Sequence, residues 1–350
     1  MLFLERVSPA LEQIDSSSGA IGTAVNGAIA ALVAIIADAP AERRTREEWL
    51  DRLWAAQEAD AIPYIETLAE HWGELCGSKE LASEWADRLV GVTRMALSPD
   101  PATRGYFHGT SACLSALFRA ERYAEIIDIL RTEKFWPYTQ WAVKARAAGG
   151  EKADAIRYAE SCRGASTPDG AVDRVCEEIL LSSGFADEAY ARYGRRANRR
   201  GTYLATFRAV AKKYPLKEPS EILVDLVEDT PGEEGKWFAA AKDARLYDLA
   251  LDVARRSPCD PRTLARAARD FAARQPAFAV EAGVLSLHWI VEGHGYEVTG
   301  REILDMFSHT MRAADANGTS AETHERLRQL VGHDAPDGIV HRILARELGM

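Results

Sequence analysis

A short junction recurs along the middle of the chain, and it limits the possible folds more than any other feature. Its copies read Arg-Ala-Glu-Arg-Tyr-Ala-Glu (119–125), Gly-Gly-Glu-Lys-Ala-Asp-Ala (149–155), Ser-Gly-Phe-Ala-Asp-Glu-Ala (183–189), Ala-Arg-Leu-Tyr-Asp-Leu-Ala (244–250) and Ala-Arg-Gln-Pro-Ala-Phe-Ala (273–279). Each passes from the end of a helical pattern, through a small or turn residue, into an alanine-rich second helix. Successive copies end 30, 34, 61 and 29 residues apart. The long interval is about twice the others, and its midpoint is Ser220, just after the Tyr214-Pro215 turn, so a degenerate sixth copy is expected there.

Helical hairpins of this length cannot bury their own apolar faces. Stacked at a fixed step they share one continuous core. Gly150 and Gly184 fall where the chain leaves a first helix, the position a C-terminal cap prefers. Leu117, Ile126, Ile127 and Leu130 in one copy correspond to Leu246, Leu249, Leu251 and Val253 in another, giving an apolar seam.

The junctions Gly150…Ala155 and Gly184…Ala189 resemble those of the tetratricopeptide-like helical-repeat superfamily, over roughly residues 101–292. The Trp-x2-Leu-Gly signature of the first helix and the regular closing proline of that family are missing. The resemblance implies an all-α fold: a right-handed α-solenoid of stacked antiparallel helix hairpins with helical caps at both ends. It divides the chain into an N-terminal tryptophan-rich block (1–98), the hairpin repeats (99–293) and a C-terminal cap (294–350), with helices expected over roughly 301–314, 320–332 and 336–348.

Elsewhere the periodicity is also helical. Thr45-Arg-Glu-Glu48 has the capping-box pattern ahead of Trp49, Leu50, Leu53 and Trp54. Asp60 and Pro63 mark the next start, and a further helix is expected from about Ser78 to Leu97, stopped by Ser98-Pro-Asp-Pro101. Half of the eight tryptophans fall in this block, at helical spacing, and are read as core. Glu221-Ile-Leu-Val-Asp-Leu-Val resembles a strand, but Pro219 and Ser220 make a helix start instead. Residues 16–37 hold 22 uncharged positions, long enough to span a bilayer. Three serines, three glycines, Thr23 and Asn26 dilute them, and Ile21, Val25, Ile29, Leu32, Val33 and Ile36 form one stripe. That pattern predicts a buried helix over 17–37 and no membrane partner.

Five cysteines without CxxC spacing are read as small buried residues in a reducing compartment, hence a cytoplasmic location. The net charge of −10 disfavours broad wrapping of nucleic acid. The chain lacks Gly-x-Ser-x-Gly, the P-loop, Gly-x-Gly-x2-Gly and His-Glu-x2-His motifs, so no cofactor or metal assignment is made, and a hydrolase or transferase whose site is assembled without a local motif stays only as the second alternative function. His288 and His294 are not at ligand spacing.

Two features compete for a binding role. In Trp136-Pro-Tyr138-Thr-Gln-Trp141, Trp141 and Lys144 fall one helical turn apart. The other is a charge block: nine basic and no acidic residues over 192–217, then seven acidic and no basic residues over 218–235. Arg195 with Arg199, and Arg196 with Arg200, become neighbours if that stretch is helical. The basic run is balanced between pairing with the acidic helix that follows and binding a ligand. In the tetratricopeptide-like arrangement first helices line the concave face, and here they lean basic: Lys144 and Arg146, the arginine cluster to Lys213, Lys236, Lys242 and Arg245, then Arg262, Arg266, Arg269 and Arg274, with one departing copy near Arg174 that also holds Asp173, Glu177 and Glu178. The expectation is a scaffold that binds a protein or acidic peptide in a basic groove, with Arg195, Arg196, Arg199, Arg200, Tyr203, Lys212, Trp141 and Lys144 as binding residues. A nucleic-acid or phosphate ligand is the alternative partner.

Overall fold

The computed structural model describes every residue except Met1, 12–19, 61–62, 166 and 336–337. Among the described residues the chain is helical and contains no strand. It packs as two compact units, Met1–Ala189 and Tyr190–Met350.

In the first unit, the apolar stripe makes a helix at Ala20–Asp38 that buries Val25, Ile29, Val33 and Ile36 on one side. Burial is one-sided: Ile35 is 65% exposed and the small residues Ala30, Ala31 and Ala34 also face outward. Residues 17–19 of the expected helix lie outside the described residues. The next helix, Arg43–Glu58, starts two residues before Thr45, so the Thr45–Glu48 pattern lies inside the first turn and does not cap. Arg46 is buried there instead, and its guanidinium donates to the carbonyls of Ile36 and Ala39, the latter at 2.7 Å. It thereby satisfies orphan acceptors at the end of the preceding helix. Asp60 accepts from the amides of Tyr64 and Ile65 at 3.3 and 2.9 Å ahead of the Glu66–His71 turn. Ser78 caps Lys79–Ala96 through the amide of Leu81 at 3.2 Å. Trp54, Trp72 and Trp85 meet with centroids 5.0–5.7 Å apart, and Trp72 is fully buried. Thr110–Arg119 packs on these helices and on Trp136–Ala148, which in turn packs on Ala171–Leu181.

Four of the chain reversals share one hydrogen-bond pattern. At each, a left-handed residue follows the first helix: Glu121 (φ +59°), Gly150 (+94°), Gly184 (+80°) and Arg245 (+62°). The next residue's amide reaches back to a carbonyl five positions earlier. These bonds are Arg122 to Leu117, Glu151 to Arg146, Phe185 to Leu180 and Leu246 to Ala241, at 2.9–3.0 Å. The preceding amide closes the inner bond of the same Schellman motif. In the first copy the left-handed residue is the third of the segment, so its second helix, Tyr123–Ile129, starts one residue later than the sequence alignment implies. Two other reversals lack the motif. Tyr214 (φ −119°) and Gln275 (φ −142°) each precede a proline, which forces its predecessor away from helical geometry. The first of these joins Tyr203–Lys213 to Pro219–Glu228, the helix pair expected at the degenerate sixth copy.

In the second unit Tyr203–Lys213 packs on Pro219–Glu228 and Phe238–Asp243, while Tyr247–Arg256 packs on Glu234–Trp237. Pro276–Val291 is apolar on almost every side, because Pro261–Phe271, Tyr247–Arg256, Gly300–Asn317 and Ser320–Gly332 all pack against it. The capping box that Thr45 does not form occurs at Thr299 and Glu302, opening Gly300–Asn317. The last helix is Ile339–Leu344. Cys76, Cys113, Cys176 and Cys259 are buried and Cys162 is half-buried; desolvation pushes the Cys113 thiol up to about 11 and those of Cys76 and Cys259 to about 12.

Candidate functional site

The basic run does not continue as one helix. Tyr190–Gly194 is a wide π turn, one α turn follows at Arg195–Ala197, and the helix stops at Asn198 (φ −102°). Asn198 donates to the Gly194 carbonyl at 2.7 Å, and the amide of Arg200 donates to Thr206 Oγ1 at 2.9 Å. Local bonds therefore turn the chain before Arg199. The expected i,i+4 helical pairs Arg195–Arg199 and Arg196–Arg200 do not form; these arginines instead reach one cavity from a turn.

That cavity holds about 540 Å³. Its basic side carries Arg192, Arg195, Arg196, Arg199 and Arg200, and its aromatic side Tyr190, Tyr203 and Trp237. Leu226, Asp229, Thr230 and Glu233 complete it from Pro219–Glu228 and the segment after it. The aromatic wall is locked by its own polar atoms. Tyr203 and Trp237 meet edge to face, 4.8 Å between centroids; the Tyr203 hydroxyl donates to Glu233 at 2.5 Å and Trp237 Nε1 to Thr230 at 2.7 Å. Burial, then the bond to Glu233, raises the Tyr203 phenol above its ordinary value. The ion pair to Lys236, 2.6 Å away, and the Tyr203 hydroxyl hold the Glu233 carboxyl low.

The arginines divide into two kinds. Arg195 is held by Asp229 at 2.9 Å and Asp225 at 3.7 Å, and Asp225 also accepts from the Tyr190 hydroxyl at 2.6 Å. Burial and that carboxylate together raise the Tyr190 phenol. Arg195 is thus neutralised by the acidic helix that follows it in sequence. Arg199 and Arg200 are exposed, and among the described residues neither forms an ion pair with a carboxylate; the Arg200 guanidinium donates to the Arg199 carbonyl at 3.1 Å. A fixed aromatic wall, one neutralised arginine and two exposed guanidinium groups without an ion pair, of which Arg199 is near enough to help hold the Glu233 carboxyl low, suit a ligand with both an apolar body and an anionic group.

The other expected site residues lie apart from the cavity. Lys212 is exposed in the last turn of Tyr203–Lys213, where a cation complements the helix dipole. Trp141 is buried in the first unit's core against Phe118, with Lys144 Nζ 4.6 Å from its ring centroid. Several first-helix cations also meet carboxylates: Arg208 with Asp243, Arg262 with Glu302 and Lys236 with Glu233, each at 2.6 Å, and Arg269 with Asp270 at 2.7 Å. Sequence reasoning missed Tyr190, Thr230 and Trp237, because no local pattern links them to the arginines. Among the described residues no group of three or more His, Cys, Asp or Glu side chains converges as a metal ion requires. No protein-family model, curated protein or solved structure matches this chain.

Proposed function

We propose that this chain is a helical-repeat scaffold, its hairpins stacked in a tetratricopeptide-like α-solenoid, and that the Arg192–Trp237 cavity takes an acidic peptide segment of a protein partner. The stacking reading rests on the shared reversal motif and on contacts between successive first helices within a unit. The observation that supports the binding reading is the contrast between Arg195, ion-paired to Asp225 and Asp229, and the exposed Arg199 and Arg200, which form no ion pair among the described residues. Asp229 and Glu233 favour a peptide over a nucleic-acid strand, since backbone amides of a peptide can donate to carboxylates and a phosphate backbone has no such donor.

The test uses a fluorescein-labelled peptide alternating glutamate and leucine, followed by fluorescence anisotropy. Replacing both Arg199 and Arg200 by Gln is expected to weaken binding about 10- to 100-fold, the range for losing charge-assisted hydrogen bonds, with unfolding unchanged. Arg195→Gln is expected to lower stability by about 1 kcal/mol, because it strands Asp225 and Asp229 in a half-exposed network where solvent screens part of the effect. Unchanged peptide affinity in the Arg199/Arg200 variant, or equal affinity for a single-stranded oligonucleotide of the same charge, overturns the peptide reading.

A further inference from the structure

A second basic cavity lies elsewhere in the second unit and is not used by the peptide reading. It holds about 570 Å³ and is formed where two chain reversals meet. Lys242, Asp243, Arg245 and Tyr247 come from one reversal, and Phe271 and Arg274 from the other. Lys242 Nζ and the Arg274 guanidinium carbon sit 5.9 and 5.3 Å from the Phe271 ring centroid, and Tyr247 meets the same ring at 5.7 Å. The cavity therefore has an aromatic floor flanked by cations.

The nearby carboxylates, Asp243 and Asp270, feel the Lys242 charge, but their hydrogen bonds go to other arginines. Arg208 holds Asp243 with two bonds, 2.6 and 3.0 Å, and Arg269 holds Asp270 at 2.7 Å. Among the described residues Lys242, Arg245 and Arg274 form no ion pair, and Arg274 donates only to the Asp270 carbonyl at 3.4 Å, so three cations face one carboxylate, Asp243, at an opening in a protein of net charge −10. Like charges brought together repel, and an anion between them relieves that repulsion.

Arg245 adds a second observation. It occupies the left-handed cap position where Gly150 and Gly184 stand in other reversals, a conformation that favours glycine. Glu121 also departs from glycine there, but its side chain is tied to Lys79 at 2.5 Å. Among the described residues Arg245 has no such tie, and it is exposed at the cavity. A non-glycine residue in this conformation carries a backbone cost, which a ligand bound by its side chain would offset.

We propose that this cavity binds a phosphate monoester, its dianion among Lys242, Arg245 and Arg274 and its apolar body on Phe271 and Tyr247. A phosphate monoester carries close to two negative charges near neutral pH and three acceptor oxygens, matching three donors better than a carboxylate does. Both free metabolites and phosphorylated side chains present this group.

Isothermal titration calorimetry tests this on the full chain with phenyl phosphate, benzoate, inorganic phosphate and a phosphoserine peptide. Phenyl phosphate is expected to bind at one site at least about tenfold more tightly than benzoate, and Arg245→Gly and Arg274→Gln each to weaken it about tenfold or more. Arg245→Gly relieves the backbone, so lost binding there cannot be assigned to misfolding; circular dichroism checks this. A phosphoserine peptide that outcompetes phenyl phosphate points to a modified protein as the source, and the reverse order to a small molecule. The proposal is overturned if wild type shows no millimolar binding of phenyl phosphate, or if Arg245→Gly binds it unchanged. It is also overturned if binding is lost instead in the Arg199/Arg200 variant, which would put the anion in the peptide cavity.

Discussion

Replacing Gly150 or Gly184 by alanine isolates one term of the reversal energetics. Both glycines are left-handed, at φ +94° and +80°. A Cβ built on either meets no heavy atom within 4 Å, so steric packing contributes nothing. What remains is the cost of holding an L-residue in the left-handed region, about 1–2 kcal/mol. Alanine also restricts the unfolded chain, which offsets about 0.4–1 kcal/mol. The net expectation is a destabilisation of about 1 kcal/mol at each site, or roughly 2–4 °C in Tm for units of this size. Arg245→Gly and Glu121→Gly run the change backwards. The first should stabilise by a few tenths to about 1 kcal/mol. The second should gain less, because it also breaks the surface pair with Lys79. Urea unfolding followed by circular dichroism reads all four. If the alanine variants are as stable as wild type, or if Arg245→Gly destabilises as much as Gly150→Ala, the reversals are not held by left-handed caps and the account of the repeat is wrong.

Other glycines are needed for space. A Cβ at Gly73 would stand 2.3 Å from the Ser115 carbonyl oxygen, and one at Gly235 2.3 Å from that of Ser257, so either alanine variant should lose about 3 kcal/mol or more in the same assay. At Glu302 the pair with Arg262 and the amide and hydroxyl of Thr299 depress the carboxyl to about 2. A depressed acid contributes stability above its unfolded value near 4.5 that fades as pH falls through the folded value. NMR titration should therefore place Glu302 near 2 in wild type and closer to ordinary carboxylates in Arg262→Gln.

The helical class, the near-30-residue step and the extra helix pair were legible in residue order, because each is a local property. Apolar residues three and four apart define a helix face. Glycine after a helix signals a left-handed cap, and proline signals a break. The TxxE pattern shows where this reasoning stops. It occurs at Thr45 and at Thr299, and only the second caps, because whether Thr45 stands before a helix or inside one depends on the start at Arg43. The burial of Arg46 has no local signal, since its carbonyl partners lie at and just past the end of another helix.

The charge block divides in the same way. Sequence alone determined that nine cations precede seven carboxylates, and hence that pairing and ligand binding both had to be weighed. Only tertiary structure decided which cation does which. The chain turns at Asn198, Pro219–Glu228 folds back to bring Asp225 and Asp229 to Arg195, and Trp237 reaches Tyr203 from 34 positions away. An ion pair depends on distance as its inverse and on the local dielectric, and neither is encoded in the spacing of residues along a chain.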